Sequence, residues 1–151
     1  MEKTVFRKTG LTPEIEETLI SFSKDWEAEN SCWGYRRNFH ADLEGRTIFL
    51  ASEGGEIIGY LFGIHETADR DRPFMEKGTP FFEIEELYVI PGKRSKGFGK
   101  ALFRYAEEEL KKENEIILLS TATKNHKAIL HFYLDELDME FWSASLFKRI
   151  S

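Results

Sequence analysis

The sequence predicts a mixed α/β fold, a sheet flanked by helices, on one domain spanning residues 1–151. Three observations predict it. Apolar residues recur at helical spacing after Thr12-Pro13 and again after Gly97. Between those stripes lie short strand-like runs, divided by Gly54-Gly55 and closed by Pro91-Gly92. With 151 residues, 41% hydrophobic and 14% aromatic, the chain has one-domain length and enough apolar side chains for a sizeable core. A disordered chain is excluded by the same composition.

Thr12-Pro13 suits a helix start, a hydroxyl for the N-cap followed by a residue that needs no N–H donor. Ile15, Leu19, Phe22 and Trp26 then follow at spacings of four, three and four, one buried face of an amphipathic helix. Residues 30–45, rich in aromatic and basic side chains, read as a short second helix with loops. Residues 47–52 and 56–65 read as strands of a hairpin turning at Gly54-Gly55. After a loop over residues 68–80, residues 81–90 form the clearest strand. A helix begins near Gly97, with Phe98, Ala101, Leu102 and Tyr105 on one side. Residues 115–120 read as a short apolar strand covered on both faces, and residues 124–136 as a helix carrying Ala128, Ile129, Phe132 and Tyr133. Short strands at residues 140–142 and 145–149 are expected to close the chain. A hairpin together with a helical crossover predicts a sheet of mixed direction.

Charge narrows the partners. Lys and Arg total 21 against 27 Asp and Glu, a formal charge of −6, which repels phosphate backbones, so no nucleic-acid partner is expected. The same balance weakly favours a cationic partner. The longest aliphatic run, Ile116-Ile117-Leu118-Leu119, is far short of the roughly 18–20 apolar residues of a membrane span, so no membrane partner is expected. The start, Met1-Glu2-Lys3-Thr4, has no apolar signal region, and a cytoplasmic location is expected. Cys32 is alone, and His40, His65, His126 and His131 lack metal-ligand spacing, so no disulfide and no metal are expected.

The informative loop is Pro91-Gly92-Lys93-Arg94-Ser95-Lys96-Gly97-Phe98-Gly99-Lys100, between a strand and a helix. Glycines two apart let backbone N–H groups approach a ligand, and a helix N-terminus attracts anions. Arg94, Lys96 and Lys100 add positive charge there, so the loop reads as a phosphate cradle; a glycine turn with solvated lysines is the plainer alternative. The chain lacks Gly-x-x-x-x-Gly-Lys-Ser/Thr, and Leu102 stands where a dinucleotide fingerprint counted from Gly97 needs glycine.

The run from Leu87 to Leu102 resembles the acetyl-coenzyme A motif of GNAT-superfamily N-acetyltransferases, Arg/Gln-x-x-Gly-x-Gly/Ala after a strand ending Val-x-Pro, with Val89, Pro91, Arg94, Gly97 and Gly99 in register. Downstream, Asn125, Ala128 and Phe132-Tyr133 resemble the family's Asn-x-x-Ala-x-x-Phe-Tyr helix. One departure follows, Leu137-Asp138-Met139 where the family has Leu-Gly-Phe, which puts the left-handed turn there in question. The resemblance implies a mostly antiparallel sheet of six to seven strands with about four helices, and an acyl-coenzyme A cleft where two central strands splay. It implies acetyl-coenzyme A as cosubstrate, no metal, direct transfer to a primary amine in a ternary complex, and a monomer or homodimer.

Roles implied by the resemblance fall on named residues. Leu87, Tyr88, Val89, Arg94, Ser95, Lys96, Gly97, Phe98, Gly99, Lys100 and Asn125 are expected to hold the cofactor, with main-chain groups of Leu87 and Val89 pairing with its pantetheine arm. Tyr133 matches the tyrosine proposed to protonate the leaving thiolate, although a phenol near 10 is a weaker acid than a thiol near 8.5; packing in the core is the plainer role. An alkyl amine with pKa near 10.4 arrives protonated and needs a base. Glu85 stands where some polyamine-acetylating relatives carry a glutamate base, or it is a salt-bridged strand carboxylate. Strict alternation puts Glu83 beside Glu85, as a binder of a cationic acceptor, and turns Glu86 to the other face. Trp33 and Tyr35 are expected to line the acceptor pocket or to pack as a connector. The acceptor expected is a small cationic molecule, polyamine-like or aminoglycoside-like. Protein N-termini or lysines remain open, as does a non-catalytic acyl-coenzyme A-binding module.

Overall fold

Five strands pair in chain order, β1 (Thr4–Thr9), β2 (Thr47–Glu53), β3 (Glu56–Thr67), β4 (Pro80–Val89) and β5 (Ile116–Leu119). The computed structural model describes residues 3–151, so Met1 and Glu2 of the start sequence lie outside the described residues. The first three pairings are antiparallel and β4–β5 is parallel, the mixed sheet that hairpin and crossover required. Helix α1 (Pro13–Glu29) and the single turn α2 (His40–Leu43) join β1 to β2; α3 (Phe98–Leu110) makes the crossover from β4 to β5. Helix α4 (His126–Leu130) continues directly into a π-helical stretch, His131–Glu136.

Two strand expectations are corrected. Residues 140–142 and 145–149 carry no strand, and Phe141, Trp142, Leu146 and Phe147 are exposed, so among the described residues the sheet has five strands and not six or seven. Conversely β1 is a strand the pattern did not announce. It lies on the sheet edge and its exposed and half-buried residues follow no clean alternation: Val5 is exposed while Phe6 packs on Tyr105.

Helix α1 starts as its residues dictate, with Thr12 Oγ1 accepting from Ile15 N–H and Pro13 in the first turn. Its apolar stripe seals one face of the sheet, where Ile15 and Leu19 pack with Leu43, Ile48, Leu50, Tyr60, Phe62 and Tyr88. Helix α3 seals the other face through Leu102, Phe103, Ala106 and Leu110, against Phe49, Leu61, Phe82 and Ile84. Strand β5 is half-buried throughout, Ile117 and Leu119 toward α3 and Ile116 and Leu118 toward Phe81 and Met75. The turn at Leu137-Asp138-Met139 survives without glycine. Asp138 adopts φ +58°, Met139 N–H donates to Tyr133 O, and the Asp138 carboxylate accepts from Arg104 at 2.9 Å. No helix among the described residues is long and apolar enough to cross a membrane.

Candidate active site

Strands β4 and β5 run side by side only from Phe81–Ile116 to Ile84–Leu119. Past that point they part, and the reason is visible in the chain that leaves β5. Cys32 bridges Thr123, Trp33 N–H donates to Ala122 O, and Lys124 N–H donates to Ser31 O, so the connector after α1 draws residues 122–124 away from β4. The second half of β4 is left with one bare edge. Ile90 N–H donates to Ile58 O of β3, so the alternation of the antiparallel ladder aims the main-chain groups of Leu87 and Val89 at the open side.

At the mouth of this opening sits the start of α3. Gly97 caps the helix at φ +88°, a left-handed conformation that strains any residue with a side chain, and it leaves no capping side chain in the way. The first intrahelical bond runs from Ala101 N–H to Gly97 O, so the N–H groups of Phe98, Gly99 and Lys100 precede the helical ladder and are available to an anion. Lys96 and Lys100 form no ion pair among the described residues. Arg94 is engaged: Nε donates to Val89 O at 2.8 Å and both terminal nitrogens to the Glu29 carboxylate at 2.5 and 2.9 Å, with the guanidinium over the Tyr88 ring. Arg94 thus fixes the loop to β4 and α1.

A cavity of about 520 Å³ links these parts, within the range of small-molecule sites. Leu87, Val89, Arg94, Ser95, Gly97, Gly99 and Lys100 line it from one side, Ile129, Phe132, Tyr133 and Glu136 from the other. The sequence-predicted cofactor residues are therefore largely together. Tyr88, Lys96, Phe98 and Asn125 stand off the wall: Tyr88 is buried against α1, and exposed Asn125 caps α4 by position, with no side-chain hydrogen bond to the helix. Burial pushes the Tyr133 hydroxyl up to about 12, and the adjacent Cys32 adds to the shift.

The carboxylates of β4 are arranged by a bulge. Phe62 pairs with Glu86 but Gly63 pairs with Ile84, so Glu85 is the extra residue of β4. A side chain on Gly63 would collide with the Glu83 carbonyl, so glycine is required opposite the distortion. The bulge reverses the alternation and corrects the expected placement of Glu86. Phe82, Ile84 and Leu87 face α3, whereas Glu86, like Tyr88, faces the α1 side. Glu85 itself is held by Arg46, Nε to Oε1 at 2.5 Å and Nη2 to Oε2 at 3.3 Å. Glu83 is raised by burial and by the nearby charges of Glu66 and Glu85.

Glu86 is the residue sequence reasoning missed. Its Oε1 accepts from Tyr60 Oη at 2.7 Å, Asn38 Nδ2 at 3.0 Å and Tyr35 Oη at 3.2 Å. Ser23, buried on α1, accepts from Asn38 N–H and donates its own hydroxyl proton to Tyr35 Oη, whose single proton goes to Glu86. Burial raises the Glu86 carboxyl, and the three donors pull it part of the way back. Tyr35 is thereby brought to the carboxylates and stacks on Trp26 at 4.4 Å. Trp33 is not; it is exposed, under Lys124 and edge-on to Phe147.

A mixed sheet opened at one parallel strand pair, with a helix N-terminus at the mouth, makes an opening suited to an anionic ligand. The chain belongs to the acetyltransferase (GNAT) family, whose family model matches residues 14–138, and is by that family an acetyl-coenzyme A-dependent acetyltransferase. Solved structures share the fold at low identity. An aminoglycoside acetyltransferase from an uncultured soil metagenomic sample is 18% identical, with a TM-score of 0.71 over 99% of each chain. A predicted acetyltransferase with acetyl-coenzyme A from Clostridium acetobutylicum is 16% identical, with a TM-score of 0.68 over 98% of this chain and 97% of that one. A ribosomal-protein-alanine N-acetyltransferase from Brucella melitensis biovar Abortus 2308 is 14% identical, with a TM-score of 0.68 over 97% and 99%. No curated protein matches the chain.

Proposed function

We propose that the protein acetylates a primary amine on a small cationic acceptor, by direct attack within a ternary complex. The observation that carries this reading is the bare edge of β4, running from the cradle of α3 to Tyr133 on one side of the strand and flanked by the carboxylates Glu83, Glu85 and Glu86. When bound, acetyl-coenzyme A supplies a thioester whose carbonyl carbon the amine attacks. Phe98, Gly99 and Lys100 N–H groups and the Lys96 and Lys100 ammonium groups hold phosphate oxygens. Leu87 offers its main-chain groups as a further strand would; the Val89 carbonyl is taken by Arg94, and its N–H serves a developing oxyanion. Arg94 and Ser95 set the shape of the loop, Ser95 through its φ of +60°.

Tyr133 serves the leaving sulfur as a hydrogen-bond donor. At about 12 its hydroxyl stays protonated across the working range, and full proton transfer to a thiolate near 8.5 is uphill by roughly three to four pKa units. Crowded carboxylates favour a polycationic amine over a neutral or anionic acceptor, and Glu83, already short of charge compensation, would gain most from one. A panel of 1,4-diaminobutane, spermidine, kanamycin and an alanine-terminated peptide, scored by thiol release from acetyl-coenzyme A, tests the reading. Turnover with the small amines supports it; turnover with the peptide alone moves the acceptor to protein N-termini. Acetyl-coenzyme A binding without thiol release on any amine replaces the enzyme by a binding module.

A further inference from the structure

Helix α1 ends against its own dipole. Its last turn carries Glu27 and Glu29 and no basic residue, although the C-terminal end of a helix favours cations. Each carboxylate is taken instead by an arginine from outside the helix. Glu27 holds Arg37 of the connector at 2.8 Å, and Glu29 holds Arg94 of the cradle loop through both of its oxygens, at 2.5 and 2.9 Å. Asn30 then turns the chain at φ +53°, and residues 30–33 fasten to the chain that leaves β5. Lys124 Nζ donates to Asn30 Oδ1 at 3.0 Å, Lys124 N–H to Ser31 O at 2.8 Å, and Trp33 N–H to Ala122 O at 2.8 Å. Residues 29–33 are therefore a strap across the opening, tied to the β4 side by Glu29 and to the β5 side by the residues after it.

We infer that Glu29 is a positioning residue of the acyl-coenzyme A site, acting through Arg94 on the loop that cradles the phosphates. With both terminal nitrogens on Glu29 and the guanidinium over the Tyr88 ring, Arg94 is left with Nε, which donates to Val89 O at 2.8 Å. The carboxylate thus turns the arginine away from a phosphate and onto the end of the bare β4 edge. Ile90 N–H is already bonded to Ile58 O, so the peptide joining Val89 to Ile90 is held at both of its polar groups. The mouth of the cavity has its shape before a ligand arrives, which spares acyl-coenzyme A the entropy of ordering it. Glu29 also cancels the charge of Arg94, while Lys96 and Lys100 keep theirs for the phosphates. This rests on the placement of acetyl-coenzyme A in that cavity, and it adds a residue from outside the loop and the strand that line it.

The test uses the full chain, with acetyl-coenzyme A as the probe in calorimetric titrations at two ionic strengths. Glu29→Gln keeps the size of the side chain and frees Arg94. At high salt the variant should bind roughly two- to fivefold more weakly than wild type, the scale of one partly exposed ion pair. At low salt the deficit should be smaller, because the freed guanidinium attracts phosphates where screening is weak. A lysine that touches phosphate gives the opposite sign, and a residue that only stabilises the helix gives no salt-dependent deficit at all. Glu29→Asp, which keeps the charge, should recover most of the affinity. Arg94→Ala added to Glu29→Gln should weaken binding little beyond Arg94→Ala alone, since the two act as one unit. In steady-state kinetics Glu29→Gln should raise KM for acetyl-coenzyme A without lowering kcat. A folded Glu29→Gln protein that binds acetyl-coenzyme A at high salt as tightly as wild type, or more tightly, overturns the inference and leaves the acetyltransferase reading intact. Full additivity with Arg94→Ala overturns it as well. A wild-type protein with no affinity for acetyl-coenzyme A overturns both.

Discussion

Arg46 closes both oxygens of Glu85, with Nε 2.5 Å from Oε1 and Nη2 3.3 Å from Oε2, at the one residue of β4 that has no partner on β3. The pair anchors the bulge to the chain entering β2. Removing it should therefore cost stability more than chemistry. Glu85→Gln is expected to lower stability by about 0.2–1 kcal/mol, the range of partly exposed ion pairs, with kcat/KM within roughly threefold of wild type. Urea unfolding and steady-state kinetics on the same preparation check both. A loss of kcat/KM near a hundredfold would show Glu85 acting in the chemistry.

The cradle at α3 predicts a separation of charge from shape. Lys96→Ala with Lys100→Ala should weaken acetyl-coenzyme A several-fold at low salt, and the deficit should shrink toward 0.5 M salt as screening shortens the reach of free charges. Arg94→Ala should weaken binding by a deficit that persists at high salt, because Arg94 acts through Val89 O and Glu29 on the loop's geometry. Calorimetric titrations at two ionic strengths distinguish the two. Equal salt dependence would make Arg94 a direct phosphate ligand.

Gly99 predicts a block without unfolding. A Cβ there stands at ordinary contact distance, 3.6 Å from Phe132 Cζ and 3.7 Å from Val89 Cγ2, so the backbone tolerates a side chain. A longer one extends into the cavity wall. Gly99→Leu should fold with nearly the wild-type Tm and bind acetyl-coenzyme A at least about tenfold more weakly, since added atoms fill space the ligand needs. Undiminished affinity would place the ligand elsewhere.

Tyr133→Phe keeps the packing against Phe103 and Phe132 and deletes a hydroxyl. Turnover should fall by roughly 10²–10³-fold, the loss typical of one hydrogen-bond donor to developing negative charge, with Tm and acetyl-coenzyme A affinity held. The wild-type profile carries a second check. A phenol at about 12 is in its donor form below that value, so turnover should show no alkaline decline between pH 8 and 10 from this residue. Wild-type turnover in the variant would leave Tyr133 as packing alone.

Glu86 predicts a stability that depends on pH with a definite sign. Its folded pKa lies above the unfolded value of 4.5. The stabilising contribution of the neutral carboxyl is full below that value and is lost as pH rises through the folded pKa. Glu86→Gln, which never ionises, should therefore have a higher Tm than wild type at pH 7, and the advantage should vanish near pH 4. Calorimetric scans at both values check it. A variant that is less stable than wild type at pH 7 alone would show that the ionised carboxylate is a net stabiliser.

The glycine-bearing loop, the Thr12-Pro13 cap and the Phe132-Tyr133 helix were legible because each is local: one turn, one cap and one helical face decide it. The closing strands at residues 140–142 and 145–149 were misread because alternation reports a preference for extended chain, whereas a strand exists only where a neighbour supplies its hydrogen bonds. Edge strand β1 escaped for the converse reason, since pairing with β2 makes it a strand despite a weak pattern. The phase of Glu86 was hidden for a third. An extra residue in β4 is defined only against β3, where Gly63 gives it room.

The sequence by itself determined the fold class, the family, the glycine-capped helix start and the tyrosine that faces the cavity, because those follow from residue types at short spacings. Tertiary structure alone decided the surroundings of each carboxylate on β4. It closed Glu85 with Arg46 from 39 residues away and turned Glu86 toward Tyr35, Asn38 and Tyr60, which come from two other segments. Burial, counter-ions and the direction of a side chain past a bulge are properties of neighbours in space, and a carboxylate acquires them only when the chain has folded.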